Sequence, residues 1–173
     1  NGAPPTLDDA LALIPKPNNT VVATFVNLQR YDFGLSWVRR CEKLGIRNLL
    51  VGALDPSALA LLQKRGVATF QMGAAASRSP LPNQIDYGWN SPNFKKMGIE
   101  KVQLLHDLLQ RNLSALLMDA DAVLIRNPLP FFERYPEADI LVTTDYIGAP
   151  ELDGGIDHAQ LLVYTMNIGV IFA

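Results

Sequence analysis

Ser114-Ala-Leu-Leu-Met-Asp119-Ala-Asp121-Ala-Val-Leu-Ile125 reads as one buried strand, an apolar run interrupted by two carboxylates. A strand turns every second side chain to the same face, so Asp119 and Asp121 are expected to point the same way. Leaving even a neutral polar group unpaired in apolar surroundings costs on the order of 2–7 kcal/mol, and a like charge nearby raises the cost. The pair becomes economical where the strand ends at the rim of a sheet and something positive sits between the acids. A divalent metal ion meets that need, since hard cations take oxygen ligands. The plainer alternative is a turn in which Asp-Ala-Asp caps the next segment. Leu116-Leu-Met118 before it and Val123-Leu-Ile125 after it leave little room for a solvated loop.

Upstream, the chain alternates strand and helix signals. Thr6 with Asp9 three residues on forms a capped helix start, closed by the Pro15-Lys-Pro-Asn-Asn19 turn. Thr20–Asn27 is rich in β-branched residues and predicts the first strand. Asp32–Leu44 carries helical apolar spacing, with Gly45 as its stop. Arg47–Leu54 is a second strand, Asp55-Pro56 opens a helix that Gly66 closes, and Val67–Phe70 is a third strand. This β-α-β-α-β rhythm with short connections predicts a mostly parallel sheet in a three-layer α/β/α arrangement. Met72–Asn90 breaks the rhythm as a long loop, which in a compact domain is usually functional. Ser91-Pro92 begins a long helix running to about Arg111, bent at Gly98.

Downstream, Asn127-Pro-Leu-Pro130 opens a short helical turn through Tyr135, and Asp139–Thr144 is another strand ending at Asp145. A Gly-rich, acidic loop spans Gly148–His158, and Gln160–Ala173 holds one more strand interrupted by Asn167-Ile-Gly169. In open α/β sheets the ligand crevice lies outside the carboxyl ends of the strands. Asn27, Asp119, Asp121 and Asp145 all fall at such ends, and their convergence on one rim is the argument for a site.

The 173 residues make one domain, with residues 1–90 as a nucleotide-binding lobe and 91–173 as the lobe of the paired acids and the acceptor. Hydrophobic content of 49% and charge content of 18% are globular values. A net charge of −2 with dispersed acids and no basic stripe argues against a nucleic-acid partner. No apolar run approaches the ~20 residues of a membrane helix. Cys41 alone supports no disulfide framework and reads as a small core residue, as Trp37 reads as core packing. Trp89, in the long loop, is placed to flank a substrate. A chain that opens on Asn1 and stops at Ala173 inside an apolar run reads as a fragment truncated at its C-terminus. Asn18-Asn19-Thr20 and Asn112-Leu113-Ser114 are N-glycosylation sequons that permit a secretory location.

Met118-Asp-Ala-Asp-Ala-Val-Leu-Ile-Arg-Asn-Pro-Leu-Pro130, the preceding helix with Lys101, Ala138–Asp145 and Met166-Asn-Ile-Gly-Val170 stand in a characteristic order. Together they resemble the nucleotide-diphospho-sugar transferases of the GT-A fold, and among them the glycosyltransferase family 77-like enzymes that include plant arabinosyl- and galactosyltransferases. The resemblance covers the second half of the chain; the first half matches as a generic nucleotide-binding unit. It implies a retaining, metal-assisted transfer of sugar from a nucleotide diphosphate donor, a UDP-sugar, to a hydroxyl of a glycan or glycoprotein in the Golgi lumen. It implies Mn²⁺ or Mg²⁺ held by Asp121 and Asp119, the latter on the metal or on the ribose. It also implies that Lys101 neutralises phosphate charge, that Thr24, Phe25, Val26 and Asn27 face base and ribose, and that Ala120 and Gly169 contact the donor. Asp145 and Asn167 are implied to line the sugar as catalytic residues. A further metal ligand, often a histidine, is implied beyond Ala173; His158 is a poor substitute.

Two other classes compete. The apolar-Asp-x-Asp-x-Val pattern also resembles the nucleophile strand of haloacid-dehalogenase-type phosphatases, with Asp119 as nucleophile and Asp121 as general acid. That strand normally comes first in its domain, whereas three precede it here, and no lysine follows Asp121. The third class is a non-catalytic nucleotide-sugar-binding or scaffold domain of the same fold. Lys95, Lys96, Glu151, Asp153 and Asp157 read as solvated surface, and His106 as a surface or satisfied histidine.

Overall fold

The computed structural model describes residues 2–73, 88, 91–144 and 166–173. The long loop after Gly73, with Trp89, and the stretch holding Asp145, the Gly-rich loop and His158 lie outside the described residues.

Local sequence signals account for the helix ends. Thr6 and Asp9 form a reciprocal capping box at the start of α1 (Leu7–Ala12). Asp55 caps α3 (Pro56–Lys64) and Ser91 caps α4 (Pro92–Leu109), each followed by proline at the first helical position. Gly45, after α2 (Tyr31–Lys43), and Gly66, after α3, take positive φ of 78° and 70°, the left-handed conformation that ends a helix.

The strands β1 (Thr20–Val26), β2 (Leu49–Ala53), β3 (Thr69–Gln71), β4 (Ser114–Met118), β5 (Leu141–Thr144) and β6 (Met166–Phe172) form one sheet in the order β3-β2-β1-β4-β6-β5. Pairings among β3, β2, β1 and β4 are parallel; β6 runs antiparallel between β4 and β5. Period-two alternation feeds both faces. Val21, Ala23 and Phe25 of β1 join Leu50, Ala115 and Leu117 under α1 and α4. Val22 and Val26 join Val51, Leu116 and Met118 under α2 and α3. A short helix α5 (Leu129–Phe132) adds Leu129 and Phe132 to that second face, where the Phe132 ring stacks on Phe172. The result is the expected three-layer, mostly parallel GT-A-like sheet. Residues on both sides of position 90 share this sheet and both core faces.

Strand order matters for function. After β1, β2 and β3 have been laid down to one side, α4 carries the chain back so that β4 pairs on the other side of β1. The order reverses between β1 and β4, and the crevice outside the carboxyl ends at such a reversal is where ligands bind in open α/β sheets.

One expectation fails. The strand read through to Ile125 ends at Met118, and the chain turns at Asp119, where the Ala122 amide donates to the Asp119 carbonyl at 3.0 Å. The apolar run beyond is an extended segment with alternating faces. Ala122 and Leu124 pack on the core, while Val123 and Ile125 are 75% and 84% exposed. Arg40 of α2 holds it by donating to the Leu124 and Ile125 carbonyls. Period two was legible here, but a ladder partner was not.

Candidate functional site

The carboxyl ends of β1 and β4 bring Asn27 and Asp119 to the reversal point of the sheet. Asp119 sits one residue past β4, and its amide donates to the Gly169 carbonyl at 2.7 Å, the last rung toward β6. This bond fixes the start of the Asp-Ala-Asp turn on the antiparallel strand. The Asp119 side chain is 45% exposed, so it faces the rim and not the core.

Its charge is met by Lys101. The Lys101 ammonium donates to Asp119 Oδ1 at 2.6 Å and to the Ile168 carbonyl, and it lies 5.9 Å from the centre of the Phe25 ring. Its side chain is only 4% exposed. An ammonium so enclosed is stable because a carboxylate and a carbonyl satisfy its protons and a ring face supports it. Lys101 is therefore a buried knot joining α4, the residue after β4 and β6. The same burial shows that Lys101 does not lie on the solvated face of α4. Its neighbour Glu100 is also buried, and removal from water pushes its carboxyl above the ordinary range; Lys96 opposes that shift and Asp107 adds to it.

Asp121 is exposed on the same turn, and Ala120 between the two acids is half-buried against the core. The acids no longer share a strand face, because both lie in the turn. Gly169 stands close against Asp119 and leaves no room for a side chain: a Cβ there would stand 3.4 Å from Asp119 Oδ2 and 2.7 Å from Asn167 Oδ1. Asn167 Oδ1 accepts the Gly169 amide at 2.5 Å, and the Asn167 carbonyl accepts from the Thr143 hydroxyl at 3.0 Å. The Asn-Ile-Gly stretch is thus a braced backbone feature beside Asp119, with a register irregularity against β5 between Val142 and Thr143.

The residues at the end of β1 are enclosed. Thr24, Phe25, Val26 and Asn27 are 0%, 7%, 1% and 3% exposed, which leaves backbone rather than side chains for any ligand there. Asn27 Oδ1 accepts the Arg30 amide and caps the turn after β1. That turn is anchored by a residue read only as a helix cap. Asp55 takes the Leu28 amide on Oδ2 at 2.7 Å as well as the Ala58 amide on Oδ1 at 2.9 Å. Its second bond had a faint signal, since adjacent parallel strands place their following turns side by side. Arg40 on Leu124 and Ile125 had none.

Among the described residues no three acidic, histidine or cysteine side chains converge as a metal cage. The donor set still suits a hard divalent ion: Asp119 Oδ2, which Lys101 does not occupy, and the exposed Asp121 carboxylate stand on one turn. Cys41 is fully buried and its thiol is pushed up to about 12 by that burial, so it is a core group. Trp37 is likewise buried, while His106 is exposed on α4 beside Asp107. A cleft of about 580 Å³ bordered by Leu35, Arg39, Arg47 and Arg65 opens at the opposite, amino ends of β2 and β3 and is no part of this rim.

The sequence pattern of nucleotide-diphospho-sugar transferases matches residues 44–173, which include every strand but β1. The chain belongs to the nucleotide-diphospho-sugar transferase family. The family match favours a nucleotide-sugar donor over the phosphatase alternative, whose nucleophile strand would have to be first and not fourth. Arabinosyltransferase XEG113 of Arabidopsis thaliana is 37% identical over 153 residues, covering 88% of this chain and 23% of its own. Beta-arabinofuranosyltransferase RAY1 of the same plant is 28% identical over 139 residues, covering 80% of this chain and 25% of its own. The chain therefore spans about a quarter of the length of these relatives. No solved structure matches it. Among the described residues of this family member, no helix is long and apolar enough to cross a membrane.

Proposed function

We propose that this chain is the donor-binding part of a glycosyltransferase that moves a sugar, with arabinose first among the candidates, from a nucleoside diphosphate to a hydroxyl of a glycan or glycoprotein. The observation that carries the reading is Asp119–Ala120–Asp121 at the reversal point of the sheet, seated on Lys101 and Gly169. The two relatives named as arabinosyltransferases support the sugar, and the family supports the nucleotide. UDP is the proposed nucleotide, the transfer is proposed to retain anomeric configuration, and the Golgi lumen is the proposed compartment.

In this mechanism Asp121, with Asp119 Oδ2, would hold Mn²⁺ or Mg²⁺. Bound there, the ion would supply charge stabilisation for the departing diphosphate. The chain's own residues do the rest. Lys101 occupies Asp119 Oδ1 and leaves Oδ2, on the Gly169 side, for the ion. Gly169 admits the donor close to the β6 backbone. Asn167 braces that backbone, so its role in the proposal is to position Gly169. The β1 end offers backbone to base and ribose. Asp145, which lies outside the described residues, keeps its proposed place beside the sugar.

The test is calorimetry of UDP and UDP-arabinose with the full-length protein, with and without Mn²⁺. Metal should tighten binding at least tenfold, and Asp121→Ala should remove that gain without altering thermal unfolding, because the side chain is exposed. Equal affinity with and without metal would refute the metal role. Failure to bind any nucleoside diphosphate would refute the function.

A further inference from the structure

We propose that Asn112 is an N-glycosylation site, and that it, not Asn18, carries the glycan; the proposal rests on the secretory placement above. The hydroxyl residues of the two sequons, Thr20 and Ser114, are direct partners in the parallel pairing of β1 and β4. Both asparagines therefore stand at the amino ends of neighbouring strands, on the pole of the sheet opposite Asp119. A glycan there leaves the donor crevice open.

The two sites differ in how far their groups are already engaged. Asn112 is exposed, and its side chain makes no hydrogen bond to any described residue. Ser114 is half-buried at the first position of β4. Asn18 Nδ2, by contrast, donates to Glu133 Oε1 at 3.1 Å, and Thr20 is 9% exposed with its hydroxyl turned onto the Asn18 carbonyl at 3.2 Å. Neighbouring strands lie about 4.8 Å apart, so bulky groups on both asparagines would compete for one space. The freer amide takes it.

The turn itself explains part of Asn112. Its φ is 55°, its amide and that of Leu113 return to the Leu109 and Leu108 carbonyls, and asparagine is favoured in such a left-handed helix cap. Glycine would serve the cap equally well. The cap requires nothing of position 114, whereas the sequon requires serine or threonine there. In the modification, Asn112 Nδ2 forms a bond to C1 of the reducing-end sugar of a lipid-diphosphate-linked oligosaccharide. The C1–O bond to phosphate breaks, lipid diphosphate leaves, and one amide proton is lost.

The experiment uses the full-length protein expressed in plant cells, alongside the same chain fused to a cleavable secretory signal. Glycopeptide mass spectrometry and amidase deglycosylation, which converts the modified Asn to Asp, read each sequon. Asn112 should be occupied, and Asn112→Gly or Ser114→Ala should each remove the same mobility step while Asn18→Gln leaves it. An unmodified Asn112 in the signal-fused protein, or a glycan on Asn18 alone, overturns the proposal. Occupancy in the fused protein but not in the native one upholds Asn112 as acceptor and overturns the secretory placement instead.

Discussion

One oxygen of Asp119 accepts from the Lys101 ammonium, and the other lies 3.4 Å from where a side chain on Gly169 would begin. The carboxylate is thus split between a structural bond on Oδ1 and an Oδ2 that faces the Gly169 backbone. Position 169 has no room for a side chain, since a methyl group would meet Asn167 Oδ1 at 2.7 Å, nearer than carbon and oxygen tolerate. Either the Asn167 amide swings away and releases the Gly169 N–H, or the strand shifts. Gly169→Ala should therefore cost about 1–3 kcal/mol of stability, the usual price of forced packing, measured by urea unfolding. Sugar transfer should fall further than that loss explains, because the displaced atoms border Asp119. Full activity in a variant of unchanged stability would show that the site does not extend to β6.

At the scale of elements, α4 and the turns after β1 and β2 decide how firmly the rim is held. Glu100 on α4 is buried and its carboxyl is raised by removal from water. A raised folded-state value means that the native protein holds this proton more tightly than the unfolded chain does. Below the ordinary value of 4.5 both states are protonated and nothing is lost; as pH climbs past it, stability falls until the folded carboxyl ionises. Glu100→Gln should thus match the natural protein near pH 4 and exceed it near neutrality in urea midpoint. A pH-independent difference would rule that cause out. Asp55 bridges two turns through two backbone amides, so Asp55→Ala should cost about 2–4 kcal/mol, a lost cap plus a lost buried hydrogen bond. Asp55→Asn, which keeps one acceptor oxygen, should cost about half as much; equal losses would refute the bridging account. The caps at Thr6, Asp55 and Ser91 and the stops at Gly45 and Gly66 were all legible, because these interactions close within a few residues. The end of β4 was not, since Val123 and Ile125 look like strand residues until the partner strand is known to run out at Asp119. For the same reason the placing of the acids at a rim is legible in the sequence, while the ion pair of Asp119 with Lys101, eighteen residues away across a helix and a turn, is not.

Seen whole, the molecule has two unlike poles. The carboxyl ends of the parallel strands hold Asp119 and Asp121, with Gly169 of the antiparallel β6 beside them, and the amino ends hold Asn18, Asn112 and the arginine-bordered cleft. Between them β1, β2 and β4 are almost wholly buried, while β5, outermost among the described strands, is half-exposed. Amides of β1 should therefore exchange only with global unfolding, and those of Leu141–Thr144 at least tenfold faster through local opening. A ligand that binds only the folded state adds protection, and most of all where it closes local fluctuations. With UDP and Mn²⁺ present, added protection should concentrate at the amides of Asp119, which ties the acidic turn to β6, of Ala122, which closes that turn, and of Gly169, which bonds to Asn167 beside it. Asn112 to Ala115, at the far end of β4, should gain no more than the global increment. Local slowing at that amino pole, with none at Asp119 and Gly169, would place the nucleotide at the wrong end of the sheet and remove the basis for assigning the acidic turn to it.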